Sequence, residues 1–118
     1  MNKEIMNELT KLKEIDLIYV TNKHTQDKLY ITYNIICNMN SVTENLDICK
    51  KIIATMEIAK ALVSSDKIIL NYNIKTSNTL ESEIINKKGN ALNNAKVLYQ
   101  KDYYFKDLIE EYKNNKVR

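Results

Sequence analysis

Leu29-Tyr30-Ile31-Thr32-Tyr33-Asn34-Ile35-Ile36-Cys37-Asn38-Met39 is the stretch on which the reading of this chain turns. Every odd position is apolar or aromatic, whereas Thr32, Asn34 and Asn38 occupy even ones. That period of two belongs to a strand, whose successive side chains point to opposite faces. Tyr30 and Ile36 interrupt the polar row, so the second face is expected to be partly covered as well. Upstream, Asp16-Leu17-Ile18-Tyr19-Val20-Thr21 is β-branched and aromatic, and polar residues fill Asn22 to Asp27. Residues 16–21 and 28–38 therefore read as a hairpin with a loop of about six residues.

Helical periods flank this hairpin. Ile5, Leu9 and Leu12 share one face of a first helix over Asn2 to Glu14. Ser41-Val42-Thr43-Glu44 is a capping-box pattern and opens a second helix reaching about Val63. Leu46, Cys49, Ile53, Met56, Ala59 and Val63 form its expected buried stripe, widened by Ile52 and Leu62. Ile68, Leu70, Tyr72 and Ile74 then alternate with Asn71, Asn73 and Lys75, a further strand. Beyond Thr76-Ser77-Asn78 the spacing predicts a final helical region to about Lys113, either one long projecting helix or two helices broken at Lys87-Lys88-Gly89-Asn90.

Gly89 is the single glycine and there is no proline in 118 residues, so sharp corners are scarce. The expected fold is one α+β domain over residues 1–118, mostly helical. A small antiparallel sheet, the hairpin plus one further strand, packs against the middle helix and the C-terminal helix. An all-α bundle is the alternative, because scarce glycine also suits helices at 16–39 and 67–75. Phosphate-cradling glycine loops are excluded.

Apolar residues make up 44 % of the chain and charged residues 28 %, as in ordinary water-soluble domains. No apolar run approaches the ~20 residues of a membrane span, and the charged start lacks a signal-peptide core. Cys37 and Cys49 lie on the apolar faces of a strand and a helix, as buried thiols of a cytoplasmic protein would. Lysine, asparagine and isoleucine dominate, and Arg118 is the only arginine, a pattern expected of an AT-rich genome, a phage or a mobile element. The net charge is +3. With so little arginine, sequence-specific reading of the major groove is disfavoured.

Catalytic and metal patterns are sparse. His24 is the one histidine and is expected to be solvated in the hairpin loop; neither a metal site nor a cofactor is expected. Glu81/Glu83 and Glu110/Glu111 are too closely spaced to face one another on a helix. An enzyme would need the fold to gather residues such as His24, Asp16 and Glu44.

Tyr99-Gln100-Lys101-Asp102-Tyr103-Tyr104-Phe105-Lys106 carries the densest aromatic content. On a helix, Tyr99, Tyr103, Tyr104, Phe105, Ile109 and Tyr112 would offer a broad contact surface of the tyrosine-rich kind found at interfaces. Lys101, Lys106, Lys87 and Lys88 are candidate basic contacts beside it. The expectation is a small non-enzymatic interaction module, an adaptor, inhibitor or immunity- or phage-type antagonist, binding a protein partner or a second copy through this C-terminal surface. The alternative is a nucleic-acid-binding regulator that stacks bases on the tyrosines and places Lys113, Lys116 and Arg118 on the backbone.

Overall fold

The computed structural model describes residues 2–76 and 95–100. Within them the chain forms α1 (Asn2–Thr10), β1 (Ile15–Thr25), β2 (Lys28–Cys37), a 3-10 turn (Thr43–Asn45), α2 (Leu46–Leu62), β3 (Ile68–Thr76) and β4 (Ala95–Gln100). The four strands make one mixed sheet in the order β3-β2-β1-β4. β1 is antiparallel to both β2 and β4, whereas β2 and β3 are parallel.

Several expectations are met. β2 and β3 stand where alternation placed them, α2 ends one residue before Val63, and β1 and β2 form a hairpin. α1 is shorter than its apolar period suggested. Thr10 turns its Oγ1 back to donate to the Met6 carbonyl at 2.7 Å, and the chain leaves the helix there. Ser41 Oγ accepts the Glu44 N–H at 3.2 Å, which is the capping-box contact. It closes the 3-10 turn, and the α-helix proper starts at Leu46.

The fold is nonetheless not mostly helical, nor is it an all-α bundle. Two α-helices are found among the described residues, against four strands. The third strand is parallel to β2 instead of antiparallel. α2 carries the chain back along the sheet, so β3 leaves in the direction of β2, as a crossover requires. Where a C-terminal helix was expected, Ala95–Gln100 is a strand pairing Leu17–Thr21 of β1. Leu17 to Val20 are buried, and a buried strand edge cannot leave its backbone groups unpaired; that tertiary demand outweighs a helical period. The Gly89 break lies outside the described residues.

The hairpin loop is two residues, Gln26-Asp27, not six. Asn22 to Thr25 are polar because this end of the sheet projects past the core, yet they stay paired with Lys28 to Ile31. Gln26 takes a left-handed φ of 36°, as the first position of a primed hairpin turn can require. Gln26→Gly relieves the roughly 1–2 kcal/mol cost of a left-handed side-chain-bearing residue against about 0.4–1 kcal/mol of added unfolded-state entropy, so a net stabilisation of about 0.5 kcal/mol is expected, read as a higher urea midpoint at unchanged m-value. An unaltered or lower midpoint would mean that the turn does not hold this conformation.

The principal core lies between one sheet face and the two helices. Ile5 and Leu9 of α1 and Ile52, Met56 and Ala59 of α2 meet Ile18, Val20, Tyr33, Ile35, Cys37 and Leu70. Strand alternation puts Leu17, Tyr19, Asn34 and Ile36 on the opposite face, where each is at most 5 % exposed. The central strands are thus closed on both sides. On this second face the Asn73 amide donates to Asn34 Oδ1 at 3.3 Å across the parallel β2–β3 pair.

Candidate interaction surface

Of the aromatic residues expected to form the contact surface, Tyr99 is described. It sits on β4 opposite Ile18 and packs, half-buried, against the core. Burial and then the nearby Asp16 carboxylate push its phenol above the usual range. Tyr99 thus serves the sheet from a strand and not from a helix. Tyr103, Tyr104, Phe105, Ile109 and Tyr112, with Lys87, Lys88, Lys101 and Lys106, lie outside the described residues.

The residues considered for acid–base work are spread apart. Asp16 and His24 stand on one strand, eight positions apart, roughly 26 Å at about 3.3 Å per residue. Asp16 is 3 % exposed at the inner end of β1, in the irregularity between Ile15 and Leu17. His24 is exposed at the outer end, opposite Leu29, and Glu44 is exposed in the 3-10 turn. No group of three or more His, Cys, Asp or Glu side chains suited to a metal ion occurs among the described residues. Cys37 and Cys49 are both free and buried. Burial raises both thiols, and Cys37, which also faces the charges of Cys49, Asp16 and Glu14, reaches about 12. A thiol so hard to ionise is a packing group and not a nucleophile.

α2 is where the structure departs most usefully from expectation. Its buried face is Cys49, Ile52, Met56 and Ala59. Leu46, Ile53 and Leu62, expected on that stripe, are instead 54 %, 40 % and 58 % exposed, and Ile58 is 61 % exposed. At 100° per residue, Ala54, Ile58, Ala61 and Leu62 fall on the side of the helix directed away from the sheet. All four are exposed, while on the same side one turn earlier stand Asp47, Lys50 and Lys51. The outward surface of α2 is accordingly charged in its first half, while in its second half Ile58, Ala61 and Leu62 stand exposed beside Glu57 and Lys60.

One edge of this helix is tied down by polar contacts. Tyr72 of β3 donates its hydroxyl to Glu57 at 2.8 Å, and the Lys60 ammonium stands 5.8 Å from the Tyr72 ring centre and 3.8 Å from Glu57. The carboxylate accepting the phenol proton is the main reason Tyr72 is harder to ionise than usual. Of these contacts the Tyr72–Glu57 hydrogen bond and the Lys60–Tyr72 ring contact join α2 to β3, while burial of Cys49, Ile52, Met56 and Ala59 turns Ile58 and Leu62 outward. A depression at the start of the helix, lined by Thr43, Glu44, Leu46, Asp47, Ile48 and Lys51, gathers no convergent buried polar groups.

Comparison with protein-family models, curated proteins and solved structures gives no match for this chain. Among the described residues no helix is long and apolar enough to cross a membrane.

Proposed function

We propose that this chain is a small non-enzymatic protein-interaction module of the cytoplasm, an adaptor, inhibitor or antagonist that binds another protein. The observation that supports it is a pair of large apolar side chains left outward on α2: Ile58 and Leu62, 61 % and 58 % exposed, on a helix whose opposite face is already sealed in the core. Scattered apolar residues on a surface are ordinary, but a contiguous patch on one rigid element is characteristic of docking sites. Two buried thiols left unpaired support the cytoplasmic part of this reading. Tyr19, on the second face of the sheet, is 2 % exposed and closed to stacking bases, so it lends nothing to a nucleic-acid reading.

Ile58→Lys/Leu62→Lys provides the test, because both side chains are exposed and their replacement should shift stability by no more than about 0.5 kcal/mol. The purified wild-type chain and the variant, with matching circular dichroism and melting temperature, are used as baits in an extract of the native host. A protein retained by the wild type and lost by the variant is the expected result. Identical captures by the two baits would remove α2 from the contact and with it the support for this reading.

A further inference from the structure

We infer that the outer edge of β3 takes up an extended segment of another protein, apolar and acidic by turns, as an added strand. The inference rests on the interaction-module reading above and gives it a second surface. Among the described residues β3 ends the sheet. The Leu29 N–H donates to the Lys67 carbonyl at 2.7 Å, and the parallel register runs on from there without a shift. Odd-numbered backbone groups of β3 therefore turn to β2, and the N–H and C=O groups of Leu70, Tyr72 and Ile74 turn away from it. Edge strands are commonly blunted by a proline, a bulge or a central charge. β3 is nine residues long with none of these, its one charge being Lys75 next to the end.

The side chains on either side of this edge say what fits it. Tyr72 meets Glu57 and Lys60, so that flank of α2 overlies β3. At about 100° per residue, Leu46 and Ile53 fall between Lys60 and Glu57 on the same flank. They are 54 % and 40 % exposed. A strand added about 4.8 Å beyond β3 turns every second side chain toward them, and apolar residues suit those positions. Its remaining side chains stand on the other face of the sheet, where alternation puts Lys67, Ile69, Asn71, Asn73 and Lys75. β2 and β3 contain no aspartate or glutamate, so the charge within these two strands is positive only. Carboxylates on the added strand complete cross-strand ion pairs with it. A second copy of this chain fits worse. A two-fold antiparallel pair that sets Leu70 opposite Tyr72 also sets Lys67 opposite Lys75, and like charges directly opposite destabilise a sheet. The lysines thus turn an identical strand away and admit an acidic one.

Amide hydrogen exchange read by NMR on the full chain tests this, with a capped peptide of about eight residues, alternating valine and glutamate, as the probe. In the dilute free protein the amides of Leu70, Tyr72 and Ile74 should exchange at least about tenfold faster than those of Ile69, Asn71 and Asn73. At low salt the peptide should bind with a Kd below about 1 mM and slow the three outward amides. The valine–lysine counterpart should bind at least about tenfold more weakly. So should the valine–glutamate peptide N-methylated at alternate residues, which lacks the donors that pair with β3. Lys67→Glu should narrow the preference for glutamate at least about threefold, and Ile53→Ser should weaken binding of the valine–glutamate peptide. Circular dichroism reports whether each variant is folded. Outward amides already protected in the dilute free protein would give the edge to the chain itself, and protection gained on concentrating the protein alone would give it to a second copy. Either result overturns the inference, as would no peptide binding at about 1 mM or equal binding of the N-methylated peptide. Ile58→Lys/Leu62→Lys should leave peptide binding untouched, so failure at β3 and failure of the interaction-module reading are distinguishable.

Discussion

Ile36→Ala is expected to cost about 2–5 kcal/mol of folding stability, as much as Ile35→Ala one position before it. The two side chains leave β2 on opposite faces, and both are 0 % exposed. Ile35 enters the core made with α1 and α2. Ile36 lies on the other face with Leu17 and Tyr19, which are equally enclosed. A sheet covered by helices on one side and open to water on the other would lose several kcal/mol with Ile35→Ala and only a few tenths with Ile36→Ala. Removing methylenes from an enclosed site forfeits their transfer free energy and leaves a cavity, so the two costs should instead be alike. Urea unfolding of both variants decides the matter. An Ile36→Ala penalty below about 1 kcal/mol would show the second face to be solvated.

How far the sequence discloses this architecture depends on whether a feature is local. The alternation from Ile31 to Cys37 is local and points to β2 correctly, and the intrusion of Tyr30 and Ile36 into its polar row foretells the closed second face. The parallel sense of β3 is not local, because alternation has no direction and only the path of α2 sets it. β4 is hidden for a related reason. Leu92 and Tyr99 keep a helical spacing, and what makes Ala95–Gln100 a strand is the unpaired edge of β1, far away in the chain. The two-residue hairpin loop is disguised by polarity, since an exposed strand end and a loop use the same residues.

The candidate surface was partly legible. α2 is apolar on nearly every side, so Leu46, Ile53 and Leu62 fit a buried stripe as well as Ile52 does when apolar residues alone are counted. Its charges carry the missing phase. Asp47, Lys50, Lys51 and Glu57 cluster on one side of the helical wheel and put the solvent there, which leaves Cys49, Ile52, Met56 and Ala59 to face the core. Read this way, Ile58 stands among charged neighbours as an apolar residue on the wrong side, and that mismatch is the sequence-level trace of the site. Asp16 left no such trace: an acid inside the run Ile15 to Val20 gives no sign that the strand will close over it.

Alkaline pH should unfold this protein earlier than its core would suggest, with Cys37 as the principal cause. The thiol is 0 % exposed, and burial first, then the charges of Cys49, Asp16 and Glu14, push it up to about 12. In the unfolded chain it ionises near about 8.5. A group whose folded pKa is raised contributes stability that is complete below the unfolded value and drains away up to the folded one. Between about pH 8.5 and about pH 12 the loss is about 1.4 kcal/mol per unit, roughly 5 kcal/mol in all, a large part of the stability of a small domain. Tyr33 and Tyr99, raised mainly by burial, act in the same sense but only above about pH 10, where free tyrosine begins to ionise. The window from pH 8.5 to 10 therefore belongs to the thiols. Cys37→Ala should be less stable than the wild type at pH 7, because it leaves a small cavity, yet its stability should fall distinctly less across that window. Parallel profiles for the two proteins would mean that the thiolate is tolerated inside the fold. That outcome would reopen Cys37 as a reactive group, since what makes it inert is the same burial that makes its ionisation costly.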